Sequence, residues 1–268
     1  MDSGRHIPAH RSAGKNTIRV SSDLALKRDA LHTLLAAKAP GTIAVSGGLD
    51  SRLLAHLAQA WNLDYTCLHF CGPHVARAET HAATTFLIAL GLPWYSVATN
   101  PLVLPPISAN SHDRCYHCKR SLFQTARLHC RQDRTLMDGT NSSDHLCYRP
   151  GLKALAELGV TSPFALCGIT KDDIRTLALA AQLPDSDQPS SPCLLTRLPY
   201  DNPVTAAALA SLDGLEDDCR NAGFNRFRVR LVDGMPRLFA DPVHQGLTVP
   251  VGLEVEWTER LSGYWDRG

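Results

Sequence analysis

Ser46-Gly47-Gly48-Leu49-Asp50-Ser51 lies directly after the apolar run 42–45 and directly before an amphipathic run at 49–60. That placement predicts a strand, a tight turn and a helix in immediate succession. Two glycines let the backbone turn sharply and let a ligand approach closely. The helix then points its free amides and positive dipole end into the turn, which favours an anion such as pyrophosphate. Ser46 and Ser51 add hydroxyl donors, while Asp50 would repel bare phosphate and so fits a phosphate-bound metal ion such as Mg2+. Without a ligand, the same residues would make a serine-capped β-to-α turn.

Working outward, short apolar runs at 42–45, 64–70, 93–98, 134–137 and 162–166 alternate with helical stretches at 49–60, 75–90, 115–131, 152–158 and 171–181. Strands alternating with helices predict an α/β fold with a parallel sheet. Ligands of such sheets sit beyond the carboxyl ends of the strands. The stretch 184–203 is rich in Pro, Ser and Asp but contains Cys193 and Arg197, a composition suited to a hinge that carries active groups. Beyond it, a helix at 204–222 and strands at 227–232, 237–240 and 247–257 predict a small α+β unit. The expected organisation is a leader at 1–20, a nucleotide domain at 21–185 and a small substrate domain at 186–268.

The chain has 268 residues, 44% of them hydrophobic, and no apolar run near the eighteen residues a membrane span needs. Lys plus Arg (27) nearly cancels Asp plus Glu (26), which speaks for a small-molecule ligand over nucleic acid or an anionic membrane. Residues 1–20 are polar and basic without the apolar core of a secretory signal, so a cytoplasmic location is expected. Nine cysteines in that setting point to metal binding or catalysis more than to disulfides.

Arg114-Cys115-Tyr116-His117-Cys118-Lys119-Arg120 holds two cysteines three apart, a spacing that puts both on one helix face. A helix start and the neighbouring Arg114, Lys119 and Arg120 are expected to stabilise thiolates. Zinc completed by His112 or His117, a redox dithiol, metal-free thiols and an iron–sulfur cluster all stay open. Cys193 in Ser191-Pro192-Cys193 can complete a cluster as a third thiolate, leaving one iron of a 4Fe-4S cluster free for sulfide or substrate. Cysteines 67, 71, 130, 147, 167 and 219 are expected to pack as small apolar residues.

The loop resembles the PP-loop of ATP pyrophosphatases, which split ATP between its α and β phosphates; it lacks the lysine of the Walker A pattern. Together with the cysteine motif, Asp138-Gly139-Thr140-Asn141, Tyr148-Arg149-Pro150-Gly151, Cys193 to Arg197 and Phe227-Arg228-Val229-Arg230, it resembles the LarE-like ATP-dependent sulfur transferases. The resemblance implies adenylation of a substrate carboxylate followed by replacement of AMP with sulfur, giving a thiocarboxylate as in nickel-pincer nucleotide cofactor synthesis. It implies ATP, Mg2+ and a 4Fe-4S cluster on Cys115, Cys118 and Cys193, with a sulfide donor, or Cys193 itself, as the sulfur source.

By the same resemblance Ser46, Gly47, Gly48, Asp50 and Ser51 hold phosphates, Gly139 and Asn141 lie along the nucleotide, and Arg228 and Arg230 grip a substrate phosphate or carboxylate. Arg197 joins them as a substrate ligand and Glu216 joins Cys193 and Asp50 as a catalytic group. A nucleotide-like substrate and a homo-oligomer are further implications. Two departures stand out: Phe239 occupies a position where the family has Glu, and only 241–246 separates the last two strand-like runs. The competing readings are a 4Fe-4S tRNA thiolase of the same loop class and a non-catalytic nucleotide-binding module.

Overall fold

A computed structural model describes residues 21–146, 149–187, 191–259 and 261. The leader at 1–20, Cys147 and Tyr148 therefore lie outside the described residues. The chain opens with helix α1 (Ser22–Lys38), capped by Ser21, whose hydroxyl accepts from the Leu24 amide at 3.2 Å. No helix is assigned there by the sequence pattern, yet Leu24, Leu31 and Leu35 share its buried face.

Strand β1 (Gly41–Ala44) leads through the loop to α2 (Leu49–Ala60), then β2 (Tyr65–Cys71), α3 (Arg77–Leu90) and β3 (Trp94–Ala98). The short α4 (Pro105–Ser108) and longer α5 (Arg114–His129) precede β4 (Thr135–Met137), α6 (Pro150–Glu157), α7 (Pro163–Leu166) and α8 (Lys171–Ala180). The four strands form one parallel sheet in the order β3-β2-β1-β4, as expected for an α/β fold. Leu53, Leu54, Ala55 and Ala58 of α2 pack with Ile43 and Cys67 of the sheet and with Ile174, Leu177 and Ala178 of α8. Each fully buried Leu of this kind contributes roughly 1.5–3 kcal/mol.

The expected strand at 162–166 is a correction. Only one parallel bridge, Met137 to Thr161, extends the sheet there, and the chain turns at once into α7. Pro163 sits at the first helical position; it has no amide to give a ladder and its fixed φ suits a helix start.

Helix α9 (Ala206–Asn221) then packs on a second sheet of β5 (Phe227–Val232), β6 (Met235–Ala240) and β7 (Glu254–Trp257), in the order β5-β6-β7 with one antiparallel and one parallel pairing. The last strand is much shorter than the expected 247–257. Val229, Leu238, Leu209 and Leu212 share an apolar cluster with Ala76, Ile107 and Cys118, so the second sheet's core reaches the helices flanking the first. Among the described residues, no helix is long and apolar enough to cross a membrane.

Candidate active site

The phosphate-type loop is shaped by its own residues. Gly47 has φ +92°, a left-handed conformation strained for any side chain, and a β-carbon there would come 3.2 Å from that of Ala83 on α3. The Ser51 hydroxyl accepts from the Ser46 amide at 3.1 Å and donates to the Gly48 carbonyl at 3.0 Å. The Ser46 hydroxyl lies 3.2 Å from it and accepts from the Gly48 amide at 3.4 Å. Gly48 caps α2 without any side-chain bond, so the first-turn amides are left for an anion.

Gly139 and Asn141, at the end of β4, meet this loop directly. A β-carbon on Gly139 would fall 2.8 Å from the Ser51 nitrogen and 3.0 Å from its α-carbon, so only glycine fits. Asn141 donates from Nδ2 to Asp50 Oδ2 at 2.8 Å. The other Asp50 oxygen is paired with Lys171, a residue no sequence motif singles out. Lys171 opens α8 behind a capping box of Thr170 and Asp173. The loop thus lacks a lysine in sequence but has one in space, 121 residues away. Asp138 is buried, accepting from Thr140 Oγ1 at 2.6 Å, Ser162 Oγ at 2.7 Å and Lys119 Nζ at 3.5 Å.

A cavity of about 620 Å³ runs from Ser46, Asp50 and Gly139 to Cys115, Cys118 and Cys193. The first two thiols lie one turn apart on α5, and Cys193 caps the short 3-10 helix Leu194–Arg197. The expectation of stabilised thiolates needs correction. Burial pushes Cys118 up to about 12, and the neighbouring Cys193 and Cys115 push the same way. Cys115 is also raised, by burial and then by Cys193, against the weaker pull of Arg114 and Lys119. Desolvation outweighs the basic neighbours because both thiols are covered by protein.

Among the described residues no three His, Cys, Asp or Glu side chains form a ready ligand set for a metal ion. His117 is instead bound to Asp113 at 3.0 Å, and His112 stacks on Tyr200 at 4.1 Å between ring centroids. Three thiols facing one cavity are the donor type an iron–sulfur cluster takes. A cluster is wider than one ion and does not need three sulfurs converging on a point. Of the other described cysteines, Cys67 and Cys219 are buried and Cys130 lies 3.1 Å from the Tyr95 hydroxyl.

Two histidines on the cavity wall were not anticipated. His69 donates from Nδ1 to the Val45 carbonyl at 2.9 Å, and burial lowers its pKa. His74 is pulled down to about 4 by burial, with His69 adding to the effect, so both rings are neutral at neutral pH. The His74 carbonyl accepts from the Leu194 amide at 2.9 Å, which moors the Cys193 turn to the end of β2.

The remaining expected residues lie behind the cavity and do not line it. Arg197 and Glu216 are each 2% exposed and form a bidentate pair at 2.6 and 3.3 Å. Glu216, the expected catalytic group, also accepts from the Val229 amide and from Arg220, so both its oxygens are engaged. Arg228 and Arg230 are buried on β5, not a solvated strand face. Arg228 donates to the Phe227 carbonyl, and burial lowers it to about 10. Arg230 donates to the Leu261 carbonyl and lies over the ring of Phe239, 5.5 Å from its centroid. Phe239 thus gives this guanidinium an aromatic platform.

No family model matches the chain. It is 32% identical over 203 residues to an uncharacterized protein of Synechocystis sp., covering 75% of this chain and 76% of that one. To an uncharacterized protein of Methanocaldococcus jannaschii it is 31% identical over 190 residues, covering 70% and 72%. To the pyridinium-3,5-bisthiocarboxylic acid mononucleotide synthase of Lactiplantibacillus plantarum it is 28% identical over 223 residues, covering 80% and 79%.

Proposed function

We propose that the chain, which belongs to one family with the Synechocystis and Methanocaldococcus proteins and is similar to the Lactiplantibacillus synthase, is a LarE-like ATP-dependent sulfur transferase that converts a carboxylate into a thiocarboxylate. The observation that carries this reading is one cavity with an uncapped helix N-terminus behind a double-glycine loop at one end and three thiols at the other.

In the first step a substrate carboxylate oxygen attacks the α phosphorus of ATP, the bond to the β phosphate breaks, and pyrophosphate leaves. The α2 amides and Ser46, Gly47, Gly48 and Ser51 would hold the departing phosphates, with Lys171 moving from Asp50 to their charge and Asp50 turning to Mg2+. Gly139 and Asn141 keep the loop in shape. In the second step a sulfur nucleophile attacks the acyl carbon and AMP leaves with the former carbon–oxygen bond pair. A 4Fe-4S cluster held by Cys115, Cys118 and Cys193 would supply a position for exogenous sulfide. Neutral His69 and His74 add no charge near the sulfur end. The relative named for a pyridinium bisthiocarboxylic acid mononucleotide points to a pyridinium carboxylate nucleotide as the substrate class.

Anaerobically prepared protein should be brown, with about four irons per chain, and should release pyrophosphate with its acid. Asp50→Asn should abolish pyrophosphate release and keep the colour, whereas Cys193→Ala should bleach it. A colourless, fully active wild type would refute the cluster, and ATP binding without pyrophosphate release for any acid would refute the transferase.

A further inference from the structure

One strongly basic side chain on the cavity wall has no established use. Arg114, at the first position of α5, is 3% exposed, and its Nε and Nη1 have no hydrogen-bond partner among the described residues. Arginine stays charged at all working pH values, and a buried charge without a counterion is among the costliest arrangements a fold can hold. The cost makes sense where an anion joins the site during function.

The surroundings prepare that site. The guanidinium lies over the Tyr200 ring, 4.0 Å from its centroid. Tyr200 in turn is stacked against His112. Its two chain neighbours are tied by buried Asn110, whose Nδ2 donates to the Pro199 carbonyl at 2.6 Å and whose carbonyl accepts from the Asp201 amide at 3.1 Å. Asp113, the cap of α5, turns its carboxylate to Ser111 and His117 and makes no side-chain bond to the helix amides. Arg197, Arg228 and Arg230 do not line this cavity, and Arg114 does. Arg114 also adjoins Cys115, at the sulfur end of the same cavity.

We propose that Arg114, seated on Tyr200 at the start of α5, grips the substrate's carboxylate and presents it to the sulfur end of the cavity. The planar guanidinium matches a carboxylate bidentately, which a point charge cannot do. The inference rests on the sulfur-transferase reading, whose reaction must bring a carboxylate between the phosphate loop and the thiols.

The test compares binding of nicotinic acid mononucleotide and nicotinamide mononucleotide, which differ only in carboxylate against carboxamide, to the full chain by calorimetry. The wild type should prefer the acid at least tenfold; Arg114→Met should abolish that preference while leaving amide binding within twofold. If the Met variant does not fold, Arg114→Lys carries the test and should show a reduced preference. A wild type without preference, or a variant that retains it in full, overturns the proposal. A Met variant that alters only the alkylation rate of Cys115 overturns it too, because Arg114 would then serve the thiols alone. ATP binding measured in parallel separates the two readings, since its absence in the wild type counts against the transferase and leaves the acid–amide comparison standing.

Discussion

At the residue scale the loop's shape depends on a missing side chain across the sheet. Gly139→Ala would drive a methyl group into the Ser51 backbone, with neither partner a flexible side-chain tip. We expect a loss of about 1–3 kcal/mol in urea unfolding and at least a tenfold rise in the ATP concentration for half-maximal binding; wild-type affinity in that variant would show that the loop has room to shift. Ser46, Gly47, Gly48, Asp50 and Ser51 were legible from the sequence because their geometry is local: two glycines, a helix start and a short serine bridge. Lys171 was not, because a partner 121 residues distant is set by strand order and leaves no local pattern. Arg114 was read only as a neighbour of Cys115; its burial on Tyr200 depends on a contact across the chain.

At the element scale, the Arg197–Glu216 pair joins three pieces. It ties the 3-10 helix after Cys193 to α9, and through the Val229 amide it ties both to β5. Breaking one partner of a buried pair leaves the other charge uncompensated, so Arg197→Met or Glu216→Leu alone should each cost about 3–5 kcal/mol. The double variant should recover much of that loss in denaturant unfolding, and strictly additive costs would contradict the coupling. Strands β1 to β4 and most helices were readable from alternating periodicity. Helix α1 is hard to read from the sequence because the polar residues of 22–38 mask a sparse apolar stripe at Leu24, Leu31 and Leu35. The apolar content of 162–166 suits either a strand or a helix, and Pro163 at the helix start decides between them.

At the scale of the whole molecule, buried titratable groups set the pH range of stability. His74 falls from an ordinary value near 6.5 to about 4 on folding. Its contribution is complete above about 6.5 and is lost as pH falls towards 4, up to about 3 kcal/mol. In cluster-free protein Cys118 rises from about 9 to about 12, so its contribution there is complete below about 9 and is lost as pH climbs towards 12. Melting temperatures of cluster-free protein across pH 4 to 10 should trace a plateau with both shoulders, and His74→Leu should flatten the acid shoulder; an unchanged acid shoulder would assign the loss to other groups.

The Asn110 staple has a consequence in time as well as in space. Its partners at Pro199 and Asp201 belong to the last part of the chain to be made, whereas the phosphate loop belongs to the first quarter. Gly139, Asn141 and Lys171, which complete the loop, all precede Tyr200 in the sequence, so the loop's partners are synthesised before the residue that closes the wall beside Arg114.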